Sequence, residues 1–172
     1  MGKILSGFGL NWPGTISRAV DDIVVSLKNS GADPIPFGAP VFLAEDGDGV
    51  AAFIPNGSQT FDRFVGFAAR SASKTPDTYP AGQDLSPVAG EQSGEWNPGE
   101  VVEVLVRGTI AIRTAPGFLP GGSVWIRKSD GVLVCAAGTE GSTLLLENVK
   151  IRVPQQSGRN CSEAVVLTRN IQ

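Results

Sequence analysis

The sequence predicts an all-β protein, a compact β-barrel or sandwich of about nine to ten short strands preceded by an extended N-terminal arm. Three observations predict it. First, residues 94–114, GEWNPGEVVEVLVRGTIAIRT, hold two consecutive alternating runs. Val102, Val104 and Val106 share one face; Val101, Glu103, Leu105 and Arg107 share the other. Ile110 and Ile112 repeat the period against Thr109, Ala111 and Arg113. A period of two with β-branched residues is that of a half-buried strand. Second, the 22 glycines and 12 prolines are spread between apolar runs, as turns joining many short strands require. Third, Ser129-Asp130-Gly131 separates two alternating runs, and Asp-Gly in that setting is a strong hairpin signal.

Taken in order, residues 1–20 are rich in glycine and carry Phe8, Leu10, Trp12 and Ile16 without a clean period. They form an arm whose large apolar groups need a surface to lie on. In 15–28, Ile16, Ala19, Val20, Ile23, Val24 and Leu27 fit a helical stripe. The β-branched Ile23-Val24-Val25, flanked by Asp and Asn, favours instead a strand over 22–28. Strands follow at 41–43, 50–54 and 61–70. Residues 75–94 are the longest irregular stretch, and a loop of that length is usually functional or packed on a neighbour. Gly108 either turns a hairpin or bulges one long strand so that it bends around a core. Strands at 124–127 and 132–135 form the Asp-Gly hairpin, and 143–146 follows. Then Val149, Ile151 and Val153 face inward while Lys150 and Arg152 face out, and 164–168 closes the body. The expected division is an arm over 1–20 and a β body over 21–172.

At 172 residues the chain is long enough to bury roughly two thirds of its unfolded surface without staples. A net charge of −3, with no basic cluster beyond two adjacent residues, argues against nucleic acid as a partner. No apolar run approaches the ~20 residues of a transmembrane helix, so no membrane partner is expected. The start, MGKILSGFGL, lacks a signal-peptide core and cleavage pattern. Gly2 and Ser6 match the permissive myristoylation pattern, and Asn56 and Asn160 begin sequons; with no supporting feature, these matches read as coincidental. Cys135, in the apolar run VLVCAA, and Cys161 read as reduced, mostly buried thiols. A disulfide between them is the alternative, and it needs a Cα separation that sequence does not supply.

Without a histidine, Ser–His–Asp and Cys–His nucleophile systems and histidine-bearing zinc sites are excluded. The acidic loop EDGDG at 45–49 lacks the downstream carboxylate of a calcium loop, since VAAFIPNG follows, and reads as a solvated turn. Glu91, Glu95, Glu100 and Glu103 read as scattered surface acids, although a converging pair is what glycoside hydrolysis would need. Trp12, Trp96 and Trp125 offer a sugar-stacking platform as an alternative. Against it, Trp125 between Val124 and Ile126 projects from the face opposite the core. Asn97-Pro98-Gly99 after Trp96 is a turn that needs no ligand. The expectation is a non-enzyme with no metal, cofactor or catalytic residue.

The order of motifs PIPFGAPVFL (34–43), FVGFAARS (64–71), EWNPGEVVEVLVRGTIAIRT (95–114), GGSVWIR (121–127) and EAVVLTRN (163–170) resembles the structural cement, or capsid decoration, proteins of tailed phages. The resemblance runs over roughly 20–170. It implies a small β-barrel-like homotrimer on the outer surface of the virion head, made in the bacterial host cytoplasm. It also implies that the protein clamps neighbouring major capsid subunits of the HK97 type. An extended arm typically lies on the capsid in such proteins, so Phe8, Leu10, Trp12 and Ile16 become the expected capsid-binding residues. The runner-up readings are a carbohydrate-binding β-sandwich and another virion surface β-protein such as a head-fibre base.

Overall fold

The computed structural model describes residues 13–16, 21–45, 47–71, 94–155 and 161–167. In chain order the strands are β1 (Ile23–Lys28), β2 (Ile35–Pro36), β3 (Pro40–Leu43), β4 (Val50–Ala52), β5 (Phe64–Ala68), β6 (Glu95–Trp96), β7 (Val101–Arg113), β8 (Ser123–Arg127), β9 (Leu133–Val134), β10 (Thr143–Val153) and β11 (Cys161–Val166), with one 3-10 turn at Phe61–Arg63. Nine of them make one antiparallel sheet in the order β4-β3-β5-β7-β11-β10-β8-β9, with β1 added on β7, and the sheet curls strongly into a half-barrel. β2 and β6 pair separately. The protein is all-β, as its alternation predicts.

β7 organises everything else, and its bend decides which residues are inside. Between Ile23 and Val24 one step along β1 matches two along β7, from Arg107 to Leu105. Val106 is the additional residue, and a bulge of this kind shifts side-chain phase by one. Leu105 before it and Ile110 and Ile112 after it therefore reach the same core. Gly108 continues the bend at φ 124°, and a Cβ there would lie 1.8 Å from Asp22 Oδ1, so only glycine fits. Of the two readings open for Gly108, a single bent strand is the one formed.

Two apolar clusters result. The main core joins Phe42, Phe64, Phe67, Leu105, Ile110 and Ile112 to residues of β8, β10 and β11, among them Ile126, Leu146 and Ile151. The small core gathers Ile35, Phe37, Val41, Val50, Trp96, Val102 and Val104. Burying each large side chain completely stabilises by about 1.5–3 kcal/mol relative to exposure.

Several boundaries differ from expectation. Residues 61–63 turn before the strand begins. Three-residue spacing then puts Phe61 and Phe64 on one side, where their rings stack at 6.3 Å and both meet the main core; an extended chain would send them to opposite faces. Residues 143–153 form one strand whose pairing with β8 slips between Leu146 and Lys150. Val153, expected inside, is 37% exposed because β10 slips again against β11 between Ile151 and Val153. Cys135, expected in an apolar strand, is exposed just past the two-residue β9.

Candidate functional site

The N-terminal segment supplied every candidate contact residue. Phe8, Leu10 and Trp12 lie outside the described residues. Ile16 is half-buried, packs on the main core and bridges Ile110 of β7. The residues before it are fastened to the body. Gly14 N–H donates to Ala111 O at 2.8 Å, Ala111 N–H donates to Thr15 O at 2.9 Å, and Arg70 N–H donates to Gly14 O at 2.8 Å. Gly14 sits at φ 79° with Arg70 N 2.9 Å from where a Cβ would be. Pro13-Gly14 is therefore a tight entry point to the sheet.

β1 presents a second kind of surface. Asn29 donates its N–H to Glu100 O and accepts from Gly99 N–H, at 2.8 and 2.7 Å, so it turns both backbone groups toward the β7 side. Backbone direction alternates along a strand; Val25 and Leu27 thus face β7, and Val24, Ser26 and Lys28 face away. Among the described residues no strand pairs that outer edge between Ile23 and Leu27. Ile23 is 46% exposed, and Val101 at the adjoining end of β7 is 58% exposed. Among the described residues the most exposed large apolar side chain, Leu119 at 73%, lies on the turn that leads to β8.

Groups that carry chemistry are sparse. Among the described residues no three His, Cys, Asp or Glu side chains converge as metal ligands. An open hollow of about 610 Å³ is lined by Asn56, Arg127, Lys128, Val134 and Thr143, among others. Its Arg127 is committed to Asp130 by paired bonds of 2.9 and 2.6 Å. That bond holds the Asp130 carboxyl below its ordinary value and the Arg127 guanidinium above its own. Burial pushes the Cys161 thiol up, and Arg113 partly opposes it; both cysteines are free. In the loop at 45–49, Asp46 lies outside the described residues, and Ser30 Oγ donates to the Asp48 carbonyl. Trp96 is unavailable for stacking on a sugar. It is 6% exposed, meets Phe37 edge-on at 5.8 Å and donates its indole N–H to Ala69 O at 3.0 Å. Trp125 is half-buried between Val134 and Leu145 on neighbouring strands. No helix among the described residues is long and apolar enough to cross a membrane.

The chain matches, over residues 8–166, the family described as structural cement protein (E217 gp24/Pam3 gp6). It belongs to that phage structural cement family. A solved structure titled "The capsid of Myoviridae Phage XM1" has the same fold: TM-score 0.65 at 14% identity, covering 96% of this cement protein and 95% of that chain. No curated protein matches. The role of this cement protein is accordingly structural and associated with the phage capsid.

The β1 edge was not among the residues singled out from sequence. IVVSLK shows β-branched strand character, but whether a strand ends a sheet or lies inside it depends on topology. The one local sign was the charge at its ends, Asp21-Asp22 and Lys28, which is common on edge strands.

Proposed function

We propose that this cement protein binds the outside of the mature head and stabilises the shell by clamping neighbouring major capsid subunits of the HK97 type, without catalysing a reaction. The observation that carries the reading is the family match over residues 8–166, which takes in both the β body and most of the N-terminal segment. Phe8, Leu10, Trp12 and Ile16 are the proposed capsid contacts, and Ile16 bridges Ile110 of β7. The working form is a homotrimer. A trimer presents each weak contact three times, and avidity then multiplies affinity with no new chemistry.

Deleting residues 1–12 leaves the fastened segment 13–16 in place. The truncated protein is expected to keep its β circular-dichroism spectrum and to lose occupancy on purified heads. Full occupancy would overturn the assignment of the segment. Light scattering of the intact protein tests the trimer.

A further inference from the structure

We propose that the open hollow where β8 ends and β10 begins binds a carboxylate-bearing saccharide. Three turns form it: 56–57 after β4, 127–129 at the end of β8, and 136–142 between β9 and β10. Binding residues concentrate on such turns, which a rigid sheet positions. Its volume of about 610 Å³ falls in the range of small-molecule sites, about 300–1,000 Å³, and exceeds what a bare phosphate or acetate fills. The walls are tied together through Lys128. Asn56 N–H donates to Lys128 O at 2.7 Å, and Lys128 N–H donates to Ser142 O at 2.9 Å. Gly138 N–H donates to Thr143 Oγ1 at 3.2 Å, and Ser142 Oγ donates to Thr139 O at 2.6 Å. The three turns therefore hold their shape without a ligand.

The chemistry of the lining selects the ligand. Its two ionisable side chains, Arg127 and Lys128, are both basic, and no carboxylate lines the hollow. Asp130 neutralises Arg127 through Nε and Nη2 and fixes the guanidinium, which leaves Nη1 with its own N–H donors. Lys128 is half-buried and pairs with no acid among the described residues. One positive charge is thus unmatched, with a fixed guanidinium edge beside it, and that is the complement of one carboxylate. The remaining polar side chains include Asn56, Ser129 and Thr143. Their amide and hydroxyl groups both donate and accept, as the hydroxyls of a sugar require. An acidic peptide fits less well, because peptides anchor large apolar side chains in pockets and only Val134 and Ala136 could line one here. The inference does not rest on the shell reading, since it concerns the free protein in solution.

The test is an amide-resolved NMR titration of the full chain with trimers of galacturonate, glucuronate and mannuronate. The methyl esters of these trimers, acetate and inorganic phosphate serve as comparisons. At least one uronate trimer is expected to shift the amides of Asn56, Ser129 and Gly141. Its uncharged ester is expected to bind about tenfold more weakly. Lys128→Gln is expected to lower the affinity about tenfold, and Lys128→Arg to restore most of it. Lys28→Gln, on the exposed side of β1, is expected to leave it unchanged, with circular dichroism confirming that each variant folds. Four results overturn the proposal. They are no shift of those amides with any trimer at about 10 mM, where a millimolar Kd is still detected; equal binding of trimer and ester; equal binding by the natural chain and a folded Lys128→Gln; or acetate or phosphate binding as tightly as the trimer, which would make the hollow a site for an adventitious ion only.

Discussion

Around Ile110 and Ile112 the chain is enclosed by β8, β10 and β11, two of them the strongly paired neighbours β10 and β11. The large apolar cluster lies there, and the buried polar residues beside it, Thr109, Thr114, Ser162 and Glu163, sit on or next to the long β7–β11 ladder. Around Val102 and Val104 the paired strands are β1 and β5, and the small core they share with β3 and β4 is closed by β2 and β6, each two residues long. So short a pair contributes few ladder bonds, and polar side chains supply what is missing. Asn29, 1% exposed, donates through Nδ2 to Asp33 O at 3.0 Å and Trp96 O at 3.1 Å, and accepts from Gly31 N–H at 3.1 Å. The Trp96 indole reaches Ala69 O. The contrast teaches that where long strands supply the backbone pairing a buried polar contact such as the 2.7 Å Thr114–Ser162 hydroxyl bond only adds to the ladder, whereas closure by a two-residue pair depends on individual buried side-chain hydrogen bonds.

The comparison can be broken most severely in the main core. Phe67 is fully buried and meets Phe64 edge-on at 5.4 Å. Phe67→Ala is expected to lower stability by about 3–5 kcal/mol, read by chemical denaturation as a shifted midpoint for the whole protein. Asn29→Ala is expected to cost about 1–3 kcal/mol, because it leaves buried backbone groups unpaired. It sharpens the contrast through hydrogen exchange: amides near Ile35 and Trp96 should exchange faster while that of Ile112 is unchanged. Uniform acceleration across both cores would show that they open as one unit.

The smallest effect concerns the two thiols. Burial raises the Cys161 pKa, with Arg113 opposing, and Cys135 is exposed. Thiolate is the reactive form, so at about pH 8 Cys161 on β11 should alkylate more slowly than Cys135, and denaturation should remove the gap. The sign for stability follows from the same shift. The protonated thiol is favoured by folding, so the contribution is complete below the ordinary thiol pKa and is lost as pH rises through the raised value. Equal rates in the folded protein would place Cys161 in open solvent.

Much of this architecture was readable from residue order. The alternation of β7, the β-branched start of β1 and the Asp130-Gly131 hairpin each depend on local period or turn chemistry, and all formed. The family was legible from the succession of glycine-punctuated strands. The extra residue at Val106 was not, because a bulge appears only when a second strand supplies the register. Ile35–Pro36 and Glu95–Trp96 are too short to show a period. Trp96 therefore looked like a turn residue or a stacking surface, and its place in the small core depends on a partner 61 residues earlier in the chain, Ile35. Cys135 looked internal because VLVCAA is apolar, yet β9 ends at Val134.

The attachment of residues 13–16 near the C-terminal end of β7 has a mechanical consequence. A pull on the chain ahead of Pro13 is carried first by the Gly14–Ala111, Thr15–Ala111 and Arg70–Gly14 bonds, and so enters the longest strand two residues from its end at Arg113. Load then passes through that end of the beam to its neighbour β11, which pairs with Gly108 through Arg113, and resistance to tearing is set by a short strap rather than by whichever terminal strand frays first.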